Sequence, residues 1–557
     1  MVEEKKLFTR KATGLVREIG FFTAIIIVLC NVIGLGWQKR VFQSSGWAPL
    51  PAKEFFLGIH PMAMAFILAG IVIVLSIFCF AMLAAAMPKS GGGYVHITRI
   101  LSPYWGYIAG WFEYFSIAVS FGMIAVAVME AIMIFGGLAG LSTDVGSVGL
   151  FFIGVVIVAI FCAVAALGTK QAGRFLQVMF IVPATITVLV YLLFIIASPA
   201  AMEYGFKLHW GHTAAEYTRQ ALASGMAEAK APSYWAAVFT SIIAAYWAYI
   251  GYAASTFVAG EVKEANKTLP RTMFIAGGII VLVYVSINLL LSAAGGSIGK
   301  VGDWSLLQAV AYLRFGGGDY GSLPSVGAWM PTFAYMQANG MGMGWFAWLI
   351  IIFAAFWVAN DIPPFILTSS RIIFAMAFDR VLPDWLAAVN ERWHSPVNAV
   401  VFTGAVALIG CASEAGNFSA GQPWYLGHGI ELIFGTGVAA TDLWDGVFFT
   451  LMALAAFYFP IKKPDVFAKA PFKYSKGTVQ LIAALAILGN LWFDYIFLTD
   501  AHGFGLPGSL GSIDGAFPFL FSIALLVIWT IVYYYYRGKS KTTGVDYQTI
   551  YQEIPPD

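Results

Sequence analysis

Asn31-Val32-Ile33-Gly34-Leu35-Gly36-Trp37 lies inside the first membrane-length apolar run of the chain, and Ala248-Tyr249-Ile250-Gly251-Tyr252 lies inside another halfway along. Glycine at lipid depth permits backbone that is not helical, and such backbone is tolerated only where it is buried in protein or lines a cavity. Two interruptions of this kind read as a protein that passes something through a bilayer rather than as a membrane scaffold.

Composition supports a membrane setting. Of 557 residues, 60% are hydrophobic and 11% are charged, with a mean hydropathy of +0.80. A soluble domain carries roughly 25% charged residues. The net charge of +2 implies neither nucleic acid nor an anionic membrane surface as a partner.

The apolar runs predict twelve spans, at 19–38, 63–86, 98–136, 149–167, 174–198, 234–258, 271–292, 344–376, 397–413, 434–459, 478–498 and 515–535. Most reach the roughly 20 residues needed to cross the hydrocarbon layer; the ninth is the weakest. The first run continues through its glycines into Trp37-Gln38-Lys39-Arg40 without a small-residue cleavage pattern, so it is expected to stay in the mature chain. With a cytoplasmic N-terminus, 23 of the 31 Lys and Arg residues fall on the cytoplasmic side and eight outside, which predicts cytoplasmic N- and C-termini and a multi-pass protein of the cell membrane.

The expected organisation is a cytoplasmic segment (1–18), a core of ten spans (19–459), a cytoplasmic connection (460–477), two further spans (478–535) and a cytoplasmic tail (536–557). The long external connections, 199–233 and 293–343, have room for short helices over an entrance. Cys30, Cys79, Cys162 and Cys411 fall in apolar segments without metal-ligand spacing and read as small buried hydrophobes. No metal site or cofactor is expected. Ser90-Gly91-Gly92-Gly93 lacks the Gly-Lys-Ser/Thr ending of a phosphate loop, and no Ser-His-Asp order supports catalysis.

Several ordered motifs carry a family resemblance. They are Asn31 to Gly36; Pro88-Lys89-Ser90-Gly91-Gly92-Gly93-Tyr94, leading through Gly106 to Gly110-Trp111; Tyr246 to Tyr252, followed by Glu261 to Arg271; and Ser370 to Pro383, with Ser395-Pro396-Val397-Asn398-Ala399 after it. Together they resemble the amino acid, polyamine and organocation transporter family, over about residues 14 to 470. The resemblance implies an all-α polytopic fold of twelve transmembrane helices, an inverted five-helix repeat with discontinuous helices 1 and 6, and a central site between those two helices.

The chemistry of such breaks follows from unpaired backbone groups. A half-helix N-terminus offers N–H groups to a carboxylate, and an opposing C-terminal end offers carbonyls to an ammonium. Ile33, Gly34, Leu35, Gly36 and Trp37 are therefore expected to receive a substrate carboxylate, and carbonyls at Tyr249, Ile250 and Gly251 its amino group. Tyr246, Tyr249 and Tyr252 are candidates to line the cavity. Trp247 ranks lower, because adjacent side chains on a helix cannot all face one cavity.

Asp361 is the sharpest ion-coupling candidate, since Asn360-Asp361 precedes Pro363-Pro364 inside an apolar run where a charge is expensive. It either titrates, accepts an ion, or pairs silently with Lys39 or Arg40. Glu113 is a further candidate, while Glu130 and Asp494 read as interfacial or structural. In the family's sodium-using members, carbonyls at the first break and hydroxyls of the eighth helix hold the ion, and the resemblance makes Thr368, Ser369 and Ser370 the hydroxyl candidates here. Lys39 and Arg40 depart from the family's apolar continuation and are gating candidates, as are Glu261 and Lys263 on the opposite side.

The expected function is a secondary active transporter of amino acids or related amines, with proton coupling favoured and sodium symport or solute exchange open. A substrate-sensing receptor of the same fold is the alternative class. Membrane lipids and the substrate are the expected partners.

Overall fold

The structure is a computed structural model that describes residues 13–142, 145–417, 438–542 and 547–555. Among these residues β pairing is confined to two isolated bridges, Ile19 with Val262 and Val301 with Trp304. Everything else regular is helical, as required where no water can satisfy backbone polar groups. Eleven helical segments are long and apolar enough to cross a membrane.

The first crossing is α1 (Phe21–Val32), a wide π-type turn at Gly36–Arg40, and α2 (Val41–Trp47), so this segment runs nine residues past the expected boundary at 38. It is followed by α3 (Pro61–Ala86), α4 (Gly93–Ile100), α5 (Pro103–Leu138), α6 (Ser147–Ala166) and α7 (Thr169–Ile195). The expected third span, 98–136, is thus two helices. Pro103 forces Ser102 into extended backbone (φ −165°, ψ 143°) and then starts α5 as its first residue.

The sixth expected span falls below the length of a crossing helix because it is divided, into α10 (Tyr234–Tyr249) and the single turn α11 (Ala254–Phe257). The eighth is divided as well, into α15 (Phe346–Ala359) and α16 (Ile362–Phe378). Pro363 and Pro364 have no N–H to give to the carbonyls of Ala359 and Asn360, so the ladder is interrupted where Asp361 sits. The ninth, α17 (Val397–Asn417), is a full-length helix; residues 434–437, where the tenth was expected to begin, lie outside the described residues.

The remaining long helices are α12 (Ala265–Gly295), α18 (Val438–Lys462), α20 (Lys476–Thr499) after the short α19 (Pro464–Lys469), and α21 (Ile513–Thr542), with α22 (Tyr547–Gln552) in the tail. α5 packs against α15, α16, α17 and α18 at the centre, whereas α21 has few partners and turns most of its surface outward. The connections 199–233 and 293–343 hold α8 (Pro199–Trp210), α9 (Ala214–Ala223), α13 (Leu306–Phe315) and α14 (Met330–Gly340). They interlock into a cap: Thr218 donates to the Gly299 carbonyl at 2.7 Å, Asn339 to that of Gly205 at 2.8 Å, and α13 packs on α2.

Candidate substrate site and its two closures

The two glycine stretches face one another. α1 stops at Ile33 (φ −82°, ψ 84°), and the freed Val32 carbonyl takes the Tyr284 hydroxyl while the Gly34 carbonyl takes the Gln38 amide at 3.0 Å. A side chain at Gly34 would collide with the Asp361 carboxylate, and one at Gly36 with Ala248 on α10. Across the gap, Gly251 holds φ +105°, a backbone open to glycine, with Asn31 where a Cβ would stand. The glycines therefore allow three segments, the α1 break, the α10 break and the head of α16, to approach at backbone distance.

Between them lies a cavity lined by Asn31, Gly36, Ser116, Trp247, Ile250, Asp361 and Asp445 among others. Its open volume is ≈ 20 Å³, about the room for one water molecule. Two carboxylates and no Lys or Arg side chain line it. The Leu35 N–H points at the Asp361 carboxylate, whose Oδ1 is buried and, among the described residues, without a partner, as is the Asn31 Oδ1. Asp445 accepts from the Ser116 hydroxyl at 2.8 Å and lies within hydrogen-bonding reach of Glu113. Two carboxyl groups in such contact need a proton between them to attract rather than repel.

Beneath the cap, the cavity is closed by ions. Lys39 Nζ is 2.6 Å from Glu130 and 3.5 Å from Glu414, with the Trp329 ring 5.8 Å away. Arg40 stacks 4.8 Å over Trp247, donates to Gln43 at 2.6 Å, and feels the charges of Glu414, Glu130 and Asp442. On the side where the termini pack, Arg371 grips Glu261 at 2.8 and 3.1 Å. Arg99 grips Asp379, with its Nη2 2.7 Å from Oδ1, and the Tyr94 hydroxyl adds a bond of 2.9 Å. The Gly91 N–H donates to the Phe257 carbonyl at 2.9 Å, and Ile19 exchanges backbone bonds with Glu261 and Lys263 at 2.9 Å each. The cavity is shut on both sides.

A central cavity between two interrupted helices, closed at each end by buried ion pairs, is the architecture of a carrier, and the family comparison agrees with it. The profile of the amino acid permease family matches residues 19–532. The chain belongs to the amino acid permease family. It is similar to the serine/threonine exchanger SteT of Bacillus subtilis, 27% identical over 407 residues that cover 71% of this chain and 76% of that protein. It is also similar to the branched-chain amino acid permease BcaP of the same organism, at 22% over 71% and 75% of the two chains. The methylthioribose transporter of that organism is 22% identical over 95% of each chain. As an amino acid permease, this chain is a multi-pass membrane transport protein and not an enzyme.

In this permease the expected site residues separate into groups. Gly36, Ile250 and Asp361 line the cavity, while Ile33, Gly34, Leu35 and Gly251 form the breaks beside it. Trp37 turns away, packing at 6.1 Å on Tyr284 and Phe353. Tyr246 packs on Phe493 and Phe497, Tyr252 on Phe80 and Phe449, and Tyr249 donates to the Phe66 carbonyl at 3.1 Å. The aromatic side chain of α10 that lines the cavity is Trp247. Thr368 has a buried, unpartnered hydroxyl, whereas Ser369 returns its own to the Phe365 carbonyl at 2.6 Å.

Silent pairing of Asp361 with Lys39 or Arg40 is not what the structure contains, because Lys39 belongs to Glu130 and Glu414 and Arg40 to Gln43 and Trp247. Glu261 is wholly buried, and its cation is Arg371; Lys263 is exposed and joins the closure on the side of the termini through its backbone. Asp442 and Asp445 escaped the sequence reading. Both stand inside an apolar run in Thr441-Asp442-Leu443-Trp444-Asp445, so the cost argument that singled out Asp361 applies to them equally.

Proposed function

We propose that the protein is a proton-coupled secondary transporter that moves an amino acid or related amine by alternating access through the cavity between α1 and α10. The observation that carries this reading is the acid-rich, cation-free lining of a cavity closed on both sides. A substrate ammonium is received by the Asn31 oxygen and the α10 carbonyls. A substrate carboxylate has to take the Leu35 N–H that now faces Asp361. Protonation makes Asp361 a poorer acceptor and releases that N–H, so proton and carboxylate binding favour each other. The carboxyl groups of Asp442, Asp445 and Glu113 neighbour one another between the Arg40 cluster and the cavity, which supports a route for a proton from the cap side. Both termini are cytoplasmic in this reading, following the distribution of Lys and Arg.

The test is uptake into sealed vesicles of the purified protein, with labelled amino acids, polyamines and nucleosides offered under separate proton and sodium gradients. Accumulation of an amine that a proton gradient drives is the expected result. Binding without flux would identify a receptor instead, flux only against internal solute an exchanger, and sodium dependence would move the ion site toward Thr368.

A further inference from the structure

α3, α12 and the connection between α19 and α20 enclose a groove well apart from the substrate cavity. One part, of ≈ 220 Å³, is walled by Phe78, Met82, Phe274, Phe472 and Tyr474 and carries Lys267 and Arg271. The other, of ≈ 490 Å³, runs on to Arg17 and Lys469. Ala85, Asn266 and Pro471 belong to both parts, so they form one groove. Four cationic side chains line it and no carboxylate does. Glu264 reaches Lys267 at 3.6 Å, but both side chains are mostly solvated and such a pair neutralises little.

The position of the cations matters as much as their number. Lys267 and Arg271 sit in the first two turns of α12, and the same helix then shows Phe274 (43% exposed) and Leu282 (69%) to its surroundings. On α20, Leu481 (62%) faces outward in the same way. The charges therefore stand where the bilayer-facing apolar surface begins. Phe78 holds the wall together, 5.1 Å from Tyr474 and 6.4 Å from Phe274.

We propose that this groove binds an anionic phospholipid, with the headgroup phosphate among Lys267, Arg271 and Lys469 and an acyl chain along Phe78 and Phe274. Basic pockets between transmembrane helices take anionic headgroups for this reason. A zwitterionic lipid brings no net charge to the cations, and a soluble anion gains nothing from the aromatic wall. α12 directly follows the segment carrying Glu261, so the bound lipid braces the helix next to the closure on the side of the termini.

Native mass spectrometry of the full chain, released from detergent with equal phosphatidylglycerol and phosphatidylcholine, tests the assignment. Retention of phosphatidylglycerol over phosphatidylcholine by about tenfold is expected. K267Q/R271Q should abolish the preference, K267R/R271K should keep it, and K170Q/R174Q, which removes two cations elsewhere, should leave it unchanged. Both Gln variants replace exposed side chains, and monodisperse elution verifies their folding. Equal retention of the two lipids by the parent, or an undiminished preference in K267Q/R271Q, would overturn the proposal. Displacement of the lipid by inorganic phosphate at similar concentration would do so as well, because it would mark a plain anion site.

Discussion

The two closures of the cavity are both built from buried ions, yet they balance charge differently. On the side of the termini, Arg371 meets Glu261 and Arg99 meets Asp379, one cation to one carboxylate, each guanidinium gripping both oxygens. Under the cap, Lys39 and Arg40 stand among Glu130, Glu414 and Asp442, and among the described residues neither Asp442 oxygen has a hydrogen-bond partner. A matched, two-pronged pair is geometrically strict and leaves a bare charge when one member is lost. A set with surplus carboxylates can redistribute its contacts and take up protons. The closure on the side of the termini is thus suited to act as a latch, and the one under the cap to rearrange its charges.

The largest consequence falls on the side of the termini. Arg371→Met should destabilise the protein by about 3–5 kcal/mol, because Glu261 is left buried without its cation, and Arg371→Met with Glu261→Met should recover most of that loss. Unfolding in detergent, followed by denaturant titration, measures both. A single variant as stable as the double one would remove the latch from the comparison.

The cap side should respond to acid. His60 lies outside the membrane helices at the N-terminus of α3, where its Nδ1 accepts from the Met62 N–H at 3.3 Å. Burial brings its pKa down from the ordinary 6.5 to about 3. Between those values the unfolded chain binds the proton and the native protein does not, so stability rises with pH across the window and is lost as pH falls below 6.5. By pH 5 the loss amounts to about 2 kcal/mol at 1.36 kcal/mol per unit. His60→Asn keeps an oxygen acceptor for the helix end and cannot titrate, so its stability should lack this component. Parallel stability curves for parent and variant between pH 4 and 7 would show that the imidazole is hydrated.

Much of this arrangement is legible in the sequence, for a physical reason. Glycines at lipid depth and a carboxylate beside two prolines are costly placements, and Gly34, Gly36, Gly251 and Asp361 do converge in the structure. The division of the 98–136 run has a sequence signal in Ser102-Pro103, which disfavours helix at Ser102, but Pro183 and Pro270 sit inside continuous helices, so that signal alone does not mark a boundary. Side-chain direction was not legible. Tyr246, Tyr249 and Tyr252 have the composition of cavity residues, but which face of α10 turns inward depends on packing against α3 and α20, remote in sequence. The partner of Glu261 was hidden likewise, because Lys263 is near in sequence and Arg371, 110 residues away, is near in space.

A smaller effect on stability, but a specific one on transport, is expected at the cavity. Asp361→Asn retains an oxygen toward the Leu35 N–H and removes a carboxylate that has no cationic partner in the cavity lining, so the fold should stand. Proton-driven accumulation should fall by about tenfold, equivalent to roughly 1.4 kcal/mol, while exchange of labelled for unlabelled substrate persists. A well-folded variant that accumulates as the parent does would transfer the coupling role to the Glu113 and Asp445 pair.

The finest discrimination comes from coupling energies across the closure under the cap. In a double-mutant cycle of Lys39→Met with Glu130→Gln, the interaction energy should be about 1 kcal/mol, at the low end for contacting residues. The reason is redundancy. Without Glu130, Lys39 still has Glu414 at 3.5 Å; without Lys39, the Arg40 guanidinium still acts on Glu130 and Glu414. The cycle of Arg371→Met with Glu261→Met has no such second partner in the grip itself and should give clearly more, measured by the same unfolding experiment. A coupling under the cap as large as the one on the side of the termini would mean that Lys39 and Glu130 form a latch of the same kind, and the proposed proton site would then lie nearer the cavity, at Asp445 and Glu113.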